Sequence, residues 1–137
     1  MGKIQMAATL YSVTSEYVTE RKSFEECLAM LHDMGYKGVE FIPAQMAPGY
    51  PYLSDEYLAE LKALFAKYEL EPVCWSAYID MGIRTDRDLT DEEIIQYTIN
   101  DMIYAKKVGF PIVRSQHSIS PKNFKAMIPW CKKLGIK

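Results

Sequence analysis

Residues 31–43, LHDMGYKGVEFIP, place the end of a helix, a turn and a short apolar strand in direct succession. A glycine turn followed by an apolar run is typical of a helix that leads into a buried strand. The pattern recurs in FAKYELEPVCWSA at 65–77, AKKVGFPIVRSQ at 105–116 and CKKLGIK at 131–137. The turn positions lie roughly 26 to 40 residues apart, the length of one strand-and-helix (βα) unit; they are Gly35, Glu69, Gly109 and Gly135. This repeat predicts a parallel sheet.

Signals for helix starts agree with this repeat. Ser23 with Glu26 and Thr90 with Glu93 have the spacing of capping boxes. Ser54 and the Ser120-Pro121 pair are expected to begin two further helices. Apolar residues at steps of three and four predict one buried stripe on each of two helices: Phe24, Cys27, Leu28 and Leu31, and Phe124, Met127, Ile128 and Cys131. We expect strands at 3–9, 38–43, 72–78 and 111–116.

Four βα units fit either an open doubly wound sheet or half of an eight-stranded barrel. No G-x-G-x-x-G motif follows the first strand, where TLYSVTSEYVTERKS at 9–23 is long, polar and aromatic. This favours the barrel, and LGIK at 134–137 is where its fifth strand would begin. The prediction is an α/β fold in which residues 1–137 form the N-terminal half of a (β/α)8 barrel, with strands five to eight absent. A small module with flavodoxin-like strand order remains the alternative.

Composition excludes several classes of partner. The formal net charge is −2, from 18 acidic and 16 basic residues that form no basic block, so nucleic acid is not an expected partner. No apolar run approaches the roughly 18 residues of a membrane span, and MGKIQMAATLYSV at the start lacks the plan of a signal peptide. We therefore expect a cytoplasmic protein without membrane contact. Its three cysteines, Cys27, Cys74 and Cys131, lie inside apolar patterns and are expected to be buried free thiols.

The stretch RSQHSISP at 114–121 is the first candidate site, because polar side chains at the end of a barrel strand project into the mouth. His117 is the candidate catalytic residue, as a general acid or base or as a hydrogen-bond partner of a sugar hydroxyl. Arg114 would bind an anionic or enediolate oxygen, and Gln116 would contact substrate. An ordinary loop histidine with a salt-bridged arginine is an equally weighted alternative.

Other strand ends supply further candidates for substrate binding. Glu40 interrupts the apolar run GVEFI, so its carboxylate either contacts a ligand or forms an ion pair with Arg114. Tyr11 follows the first strand, and Trp75, Tyr78 and Asp80 follow the third in CWSAYIDMGIRTDRDLT at 74–90. Aromatic faces beside one carboxylate suit a carbohydrate. The proline-rich loop PAQMAPGYPYLSDEY at 43–57 suits either a stiff lid or a stacking wall for a sugar or flavonoid-like ring.

Several of these stretches carry a resemblance to known families. FEECLAMLHDMGYKGVEFIP at 24–43 and YAKKVGFPIVRSQ at 104–116 resemble the xylose-isomerase-like TIM-barrel family of sugar phosphate isomerases and epimerases. GYPY at 49–52 and SAYIDMGIRTDRDLTDEE at 76–93 are similar to the barrel subunit of bacterial C-glycoside deglycosidases. The resemblance covers essentially the whole chain.

The resemblance implies an enzyme that moves a proton on a carbon beside a sugar carbonyl, through an enediolate polarised by a divalent metal. Manganese or magnesium, or else zinc, is the implied cofactor of the complete barrel. The family's ligands lie on strands five to eight, so no metal ligand is assigned in this chain.

Three functions stay open at this point. The first is a sugar isomerase, epimerase or C-glycoside deglycosidase that is inactive as this chain alone. The second is a noncatalytic half barrel that binds sugar or serves in assembly. The third is a small module that binds a different ligand at its strand ends. A half barrel exposes apolar helix faces and unpaired strand edges. We therefore expect self-association, a second chain, or a missing C-terminal half of a truncated protein to complete it.

Overall fold

The four recurring turn positions all adopt a backbone conformation with positive φ. In the computed structural model, which describes residues 4–115 and 119–137, φ is 88° at Gly35, 50° at Glu69, 114° at Gly109 and 66° at Gly135. This conformation ends a helix by turning the chain out of the helical path. Each of these turns therefore redirects the chain from a helix toward a strand, as the sequence repeat predicts.

The strands form one sheet in the order β1-β2-β3-β4, and all neighbouring pairs are parallel. The strands are β1 Ala7–Thr9, β2 Gly38–Phe41, β3 Glu71–Ala77 and β4 Ile112–Ser115. A 3-10 helix spans Leu10–Val13, and the α-helices are α1 Thr14–Val18, α2 Phe24–Asp33, α3 Pro43–Met46, α4 Asp55–Lys67, α5 Asp91–Val108 and α6 Pro121–Leu134. The predicted strands are all present, and β1 and β2 are shorter than expected.

The predicted helix caps are confirmed. Ser23 and Thr90 each form a complete capping box with the glutamate three residues later. The side chain of Ser54 accepts a hydrogen bond from the backbone N–H of Tyr57, and Ser120 does the same for Asn123. These bonds satisfy N–H groups that the first helical turn leaves unpaired.

The core lies between the sheet and its helices. Phe41 on β2 and Trp75 on β3 have no exposed surface, and their rings meet edge to face with centroids 5.2 Å apart. Phe65 from α4 and Phe110 extend this cluster. Because side chains alternate along a strand, this packing turns Glu40 and Ser76 to the opposite face of the sheet.

The last two residues continue the sheet beyond β4. The backbone N–H of Lys137 donates to the carbonyl of Pro111 at 3.0 Å, and the N–H of Val113 donates to the carbonyl of Lys137 at 2.9 Å. These two bonds are the start of a parallel ladder. Residues 136–137 thus take the place of the fifth strand that the sequence predicts.

The apolar stripe of α6 is only partly buried, which corrects the sequence-based expectation. Met127 is buried, but the side chains of Phe124 and Ile128 are 54% and 43% exposed. On α2, by contrast, Cys27, Leu28 and Leu31 are buried as expected. The neighbouring elements therefore cover only part of the apolar stripe on α6.

The three cysteines are free, as the sequence predicts. Cys27 is buried as expected, whereas Cys74 and Cys131 are only half-buried, which corrects the expectation for those two. Among the described residues, no helix is both long enough and apolar enough to span a membrane.

Candidate site at the carboxyl ends of the strands

Three polar side chains from neighbouring strands meet on the face of the sheet away from the core. Ser76 on β3 is in register with Arg114 on β4, and Glu40 on β2 pairs with Cys74, two residues before Ser76. Even spacing along parallel strands brings the side chains of these residues to one face. Glu40, Ser76 and Arg114 form what we call the strand-end cluster.

Each member of the strand-end cluster contacts the other two. Arg114 Nη2 lies 2.8 Å from Glu40 Oε1, and Arg114 Nε donates to Ser76 Oγ at 3.0 Å. The Ser76 hydroxyl donates to the same Glu40 oxygen. The ion pair that the sequence analysis weighed against ligand contact is therefore present.

The ion pair leaves polar groups open to a ligand. The Glu40 side chain is 23% exposed and the Arg114 side chain is 54% exposed. A guanidinium has five N–H groups, and two of its nitrogens are used in this cluster. Arg114 can therefore bind an anionic or carbonyl oxygen while Glu40 holds it in place.

A β-bulge sets the position of Glu40. The register between β2 and β3 shifts between Val39 and Glu40, so that Val73 has no partner of its own. A Cβ atom at Gly38 would lie 2.6 Å from the Val73 side chain. A side chain at this position would require the Val73 side chain to move, so glycine suits the close packing beside the bulge.

Cys74 lies beside the cluster but is not an activated nucleophile. Burial raises the pKa of its thiol, and the nearby negative charge of Glu40 raises it further. The thiolate is the reactive form of cysteine. At neutral pH the side chain therefore stays a thiol.

A second polar network lies on the helix-facing side of β3. Asp101 of α5 is 1% exposed; its Oδ1 accepts from the Trp75 indole N–H at 2.8 Å, and its Oδ2 lies 2.9 Å from the Tyr50 hydroxyl. Burial raises the pKa of this carboxyl to about 7, although both hydrogen bonds act to lower it. Burial dominates because water cannot reach the charge.

The hydrogen-bond pattern around Tyr50 fits a neutral Asp101. The Tyr50 hydroxyl is within 3.0 Å of the Tyr78 carbonyl and 2.9 Å of Asp101 Oδ2, both of which are acceptors when the acid is ionised. One hydroxyl hydrogen can satisfy only one of them. When Asp101 is protonated, it donates to Tyr50, and Tyr50 donates to Tyr78.

The remaining predicted substrate-binding residues are separated by the fold. Trp75 cannot touch a ligand, because its ring is enclosed by the core; its inclusion is corrected here. Tyr11 and Tyr78 are exposed, and Asp80 lines a cavity together with Tyr50 and Tyr97. Gln116 and His117 lie outside the described residues, so their roles stay predictions.

Residues missed by the sequence analysis carried weak signals. Asp101 falls on the buried face of α5, between Thr98 and Ala105, where a charge is unexpected. Ser76 occupies the strand position that faces the same way as Glu40 and Arg114. The sequence contains no signal for the contact between Tyr50 and Asp101, because 51 residues separate them.

No metal-binding group is formed within 4–115 and 119–137: no three His, Cys, Asp or Glu side chains lie together there. These residues therefore do not fit the implied divalent metal.

Comparison with known proteins finds relatives named as deglycosidase alpha subunits. The chain is 33% identical over 134 residues to the 3'-dehydrocarminate deglycosidase alpha subunit of a Microbacterium species, covering 96% of this chain and 38% of that protein. It is 27% identical over 138 residues to a C-glycoside deglycosidase alpha subunit of Arthrobacter globiformis, covering 99% and 38%. The chain thus spans about two fifths of the length of these relatives. No protein-family model matches it.

A solved structure with the same fold is a sugar phosphate isomerase/epimerase from Parabacteroides distasonis. The TM-score is 0.67 at 12% identity, covering 99% of this chain and 50% of that one. The four parallel βα units therefore correspond to half of a barrel, and the resemblance to deglycosidase barrel subunits is confirmed.

Proposed function

We propose that this chain forms the N-terminal half of a (β/α)8-barrel enzyme that acts on a sugar or glycoside, with C-glycoside deglycosidation as its reaction. The 33% identity to the 3'-dehydrocarminate deglycosidase alpha subunit over almost the whole chain carries this proposal. Sugar isomerisation or epimerisation is the second candidate, favoured by the shared fold of the sugar phosphate isomerase/epimerase. In both, a proton leaves a carbon next to a carbonyl. In isomerisation or epimerisation the resulting enolate takes a proton back. In C-glycoside deglycosidation it expels the aglycone: the C–C bond between sugar and aglycone breaks, a C=C bond forms in the sugar, and the aglycone carbon takes up a proton.

In this proposal the strand-end cluster binds the carbonyl oxygen. Removing a proton from the adjacent carbon leaves an enolate, whose negative charge falls on that oxygen. The half-exposed Arg114 offers positive N–H donors there, and Glu40 with Ser76 fixes the guanidinium in advance. Donors held ready for a developing charge stabilise the transition state.

Other residues are proposed to bind substrate or move protons. His117 is proposed to transfer the proton, and Gln116, Tyr11, Tyr78 and Asp80 are proposed to shape the site. The divalent metal proposed for the complete barrel, manganese or magnesium or else zinc, would be held by residues other than those described, and none of these roles depends on it.

Completion of the barrel is part of the proposal. The edge at Lys137 and the exposed face of α6 suit continuation by a C-terminal half, another chain or a second copy. We propose that the 137 residues alone are inactive and that the assembled enzyme is cytoplasmic.

The test is a turnover assay on the assembled enzyme, purified without denaturant together with whatever completes its barrel. The substrate is 3'-dehydrocarminate, and the readout is release of the aglycone. We expect Arg114→Gln to lower kcat/KM roughly 100-fold or more and His117→Ala to lower it roughly 100-fold or more. Arg21→Gln, which breaks an exposed pair with Glu16, is the control and should change nothing.

Each result decides a separate part of the proposal. No aglycone release by the wild type, together with isomerase activity, would replace the deglycosidase by the second candidate. Wild-type turnover in Arg114→Gln or His117→Ala would remove that residue from its proposed role.

A further inference from the structure

The loop between β3 and α5 is held at its start by a side chain from another loop. The backbone carbonyl of Tyr78, the first residue after β3, lies 3.0 Å from the hydroxyl of Tyr50, which belongs to the loop between α3 and α4. Further along, Asp80 Oδ1 accepts from the Gly82 N–H at 2.9 Å, and the Asp80 carbonyl accepts from the Ile83 N–H at 3.2 Å. The position of this loop therefore depends on whether Tyr50 donates to its first carbonyl.

The proton on Asp101 decides where the Tyr50 hydrogen goes. Asp101 Oδ2 lies 2.9 Å from the same Tyr50 hydroxyl. An ionised carboxylate only accepts, so it competes with the Tyr78 carbonyl for one hydrogen and attracts it more strongly, because hydrogen bonds to a charged group are the stronger ones. A protonated Asp101 instead donates to Tyr50, which leaves the Tyr50 hydrogen for Tyr78.

The surroundings of Asp101 leave this choice to its own proton. Trp75 on β3 and Tyr50 are its hydrogen-bond partners, and the nearby Tyr104 hydroxyl lies 3.3 Å from the Pro51 carbonyl. Among the described residues, no charged side chain of α4, α6 or β4 forms a hydrogen bond or an ion pair with Asp101. Burial raises the pKa of its carboxyl to about 7, and burial also raises the pKa of Tyr50, which therefore keeps its hydrogen.

We propose that Asp101 is a positioning residue: while it holds a proton, it directs the Tyr50 hydroxyl onto the Tyr78 carbonyl and so fixes the loop that carries Tyr78 and Asp80. When Asp101 ionises, the Tyr50 hydrogen turns to it and the loop loses this bond. The inference rests on the proposed function only in giving Tyr78 and Asp80 a role in substrate binding.

The experiment is a carbon NMR titration of the isotopically labelled 137-residue chain from pH 5 to pH 9. The carbonyl resonance of Tyr78 responds to whether its oxygen accepts a hydrogen bond. In the wild type we expect this resonance and that of the Asp101 carboxyl to shift with the same midpoint.

Two variants fix the two ends of this titration. Asp101→Asn donates to Tyr50 at every pH, so the Tyr78 resonance should stay at the position that the wild type has at low pH. Tyr50→Phe lacks the hydroxyl, so the resonance should stay at the high-pH position. Unaltered melting temperatures at pH 6 would show that both variants are folded.

Hydrogen exchange measures the loop itself. After correction for the intrinsic effect of pH, the Gly82 and Ile83 amides of the wild type should exchange roughly 5-fold faster or more at pH 8.5 than at pH 6, which corresponds to the loss of one hydrogen bond. In Asp101→Asn the two rates should be equal. Amides of α2 should exchange more slowly than both at each pH, which would show that the loop opens without global unfolding.

Turnover in the assembled enzyme connects the loop to substrate. Over the same pH range, KM for 3'-dehydrocarminate should rise several-fold in the wild type and much less in Asp101→Asn. A merely structural Asp101 would not give this difference, because asparagine would then alter KM equally at all pH values.

Two results would overturn the inference. One is a Tyr78 resonance that does not titrate, or that titrates equally in Asp101→Asn, and the other is a KM with the same pH dependence in both proteins. If the wild type shows no deglycosidase turnover, the proposed function fails while the Tyr78 titration still decides the inference.

Discussion

The buried carboxyl of Asp101 links three separate parts of the molecule by hydrogen bonds. It connects α5 to Trp75 on β3 and to Tyr50 in the loop after β2. An ionised carboxylate at this depth would be costly, since water is excluded. Its raised pKa and the two acceptors facing Tyr50 both favour the neutral acid.

Asp101 is predicted to make stability fall as pH rises. Its pKa is about 7 in the folded protein against 3.8 ordinarily, so between these values the folded state holds a proton that the unfolded chain has lost. Stability is then greatest below about pH 4, falls up to about pH 7 and stays low above it. Between pH 5 and pH 8 we expect a loss of about 3 kcal/mol from this group. Urea unfolding at the two pH values measures it.

Asp101→Asn is the matched variant for this prediction. An asparagine can donate to Tyr50 and accept from Trp75, as the neutral acid does. Because all other titratable groups are the same in the two proteins, the difference between the two pH profiles isolates Asp101. An equal pH slope in Asp101→Asn and the wild type would show that the carboxyl does not titrate in this range.

The repeat in this chain includes a helix end at which one residue has a positive φ. Three of the four positions are glycine, and Glu69 shows that the turn forms even where a side chain must adopt φ of 50°. Two backbone hydrogen bonds close this turn, from the Glu69 N–H to the Ala66 carbonyl at 3.2 Å and from the Leu70 N–H to the Phe65 carbonyl at 2.9 Å. The positive-φ turn is therefore found at all four of these helix ends, whether or not the residue there is glycine.

Gly109→Ala is predicted to destabilise the protein by about 1–3 kcal/mol, through backbone strain. At φ of 114° the conformation is unfavourable for any residue with a side chain, and a Cβ there would meet nothing within 4 Å. Gly109→Asn should cost less than alanine, because asparagine tolerates positive φ better. Urea unfolding of the two variants tests this ranking, and an alanine variant as stable as wild type would contradict it.

At the scale of the whole molecule, two large apolar side chains of α6 stay exposed. Phe124 and Ile128 on α6 are exposed beside the edge that Lys137 begins to extend. Exposed apolar residues next to an open strand edge favour association.

We predict that the 137-residue chain self-associates at roughly 50 µM, since the two side chains are about half exposed and burying the rest of each yields about half of the ~1.5–3 kcal/mol of a fully buried one. The double variant Phe124→Glu, Ile128→Glu should be largely monomeric, with its unfolding free energy changed by less than about 0.5 kcal/mol. Ala59→Glu, Ala63→Glu adds the same charge on the exposed face of α4 and should still associate. Native mass spectrometry or sedimentation measures this, and a monomeric wild type would contradict it.

Local sequence patterns are enough to predict the parallel βα units, the helix caps and the turns, because each depends on residues within a few positions of one another. Ser23 with Glu26, for example, needs only one helical turn to form its capping box. Tertiary structure decided the site. Whether Glu40 meets Arg114 depends on the register of three strands and on a bulge at Val73, which no local pattern encodes. The burial of Trp75 and Asp101 likewise depends on how α5 packs on the sheet, because only the assembled core excludes water from both.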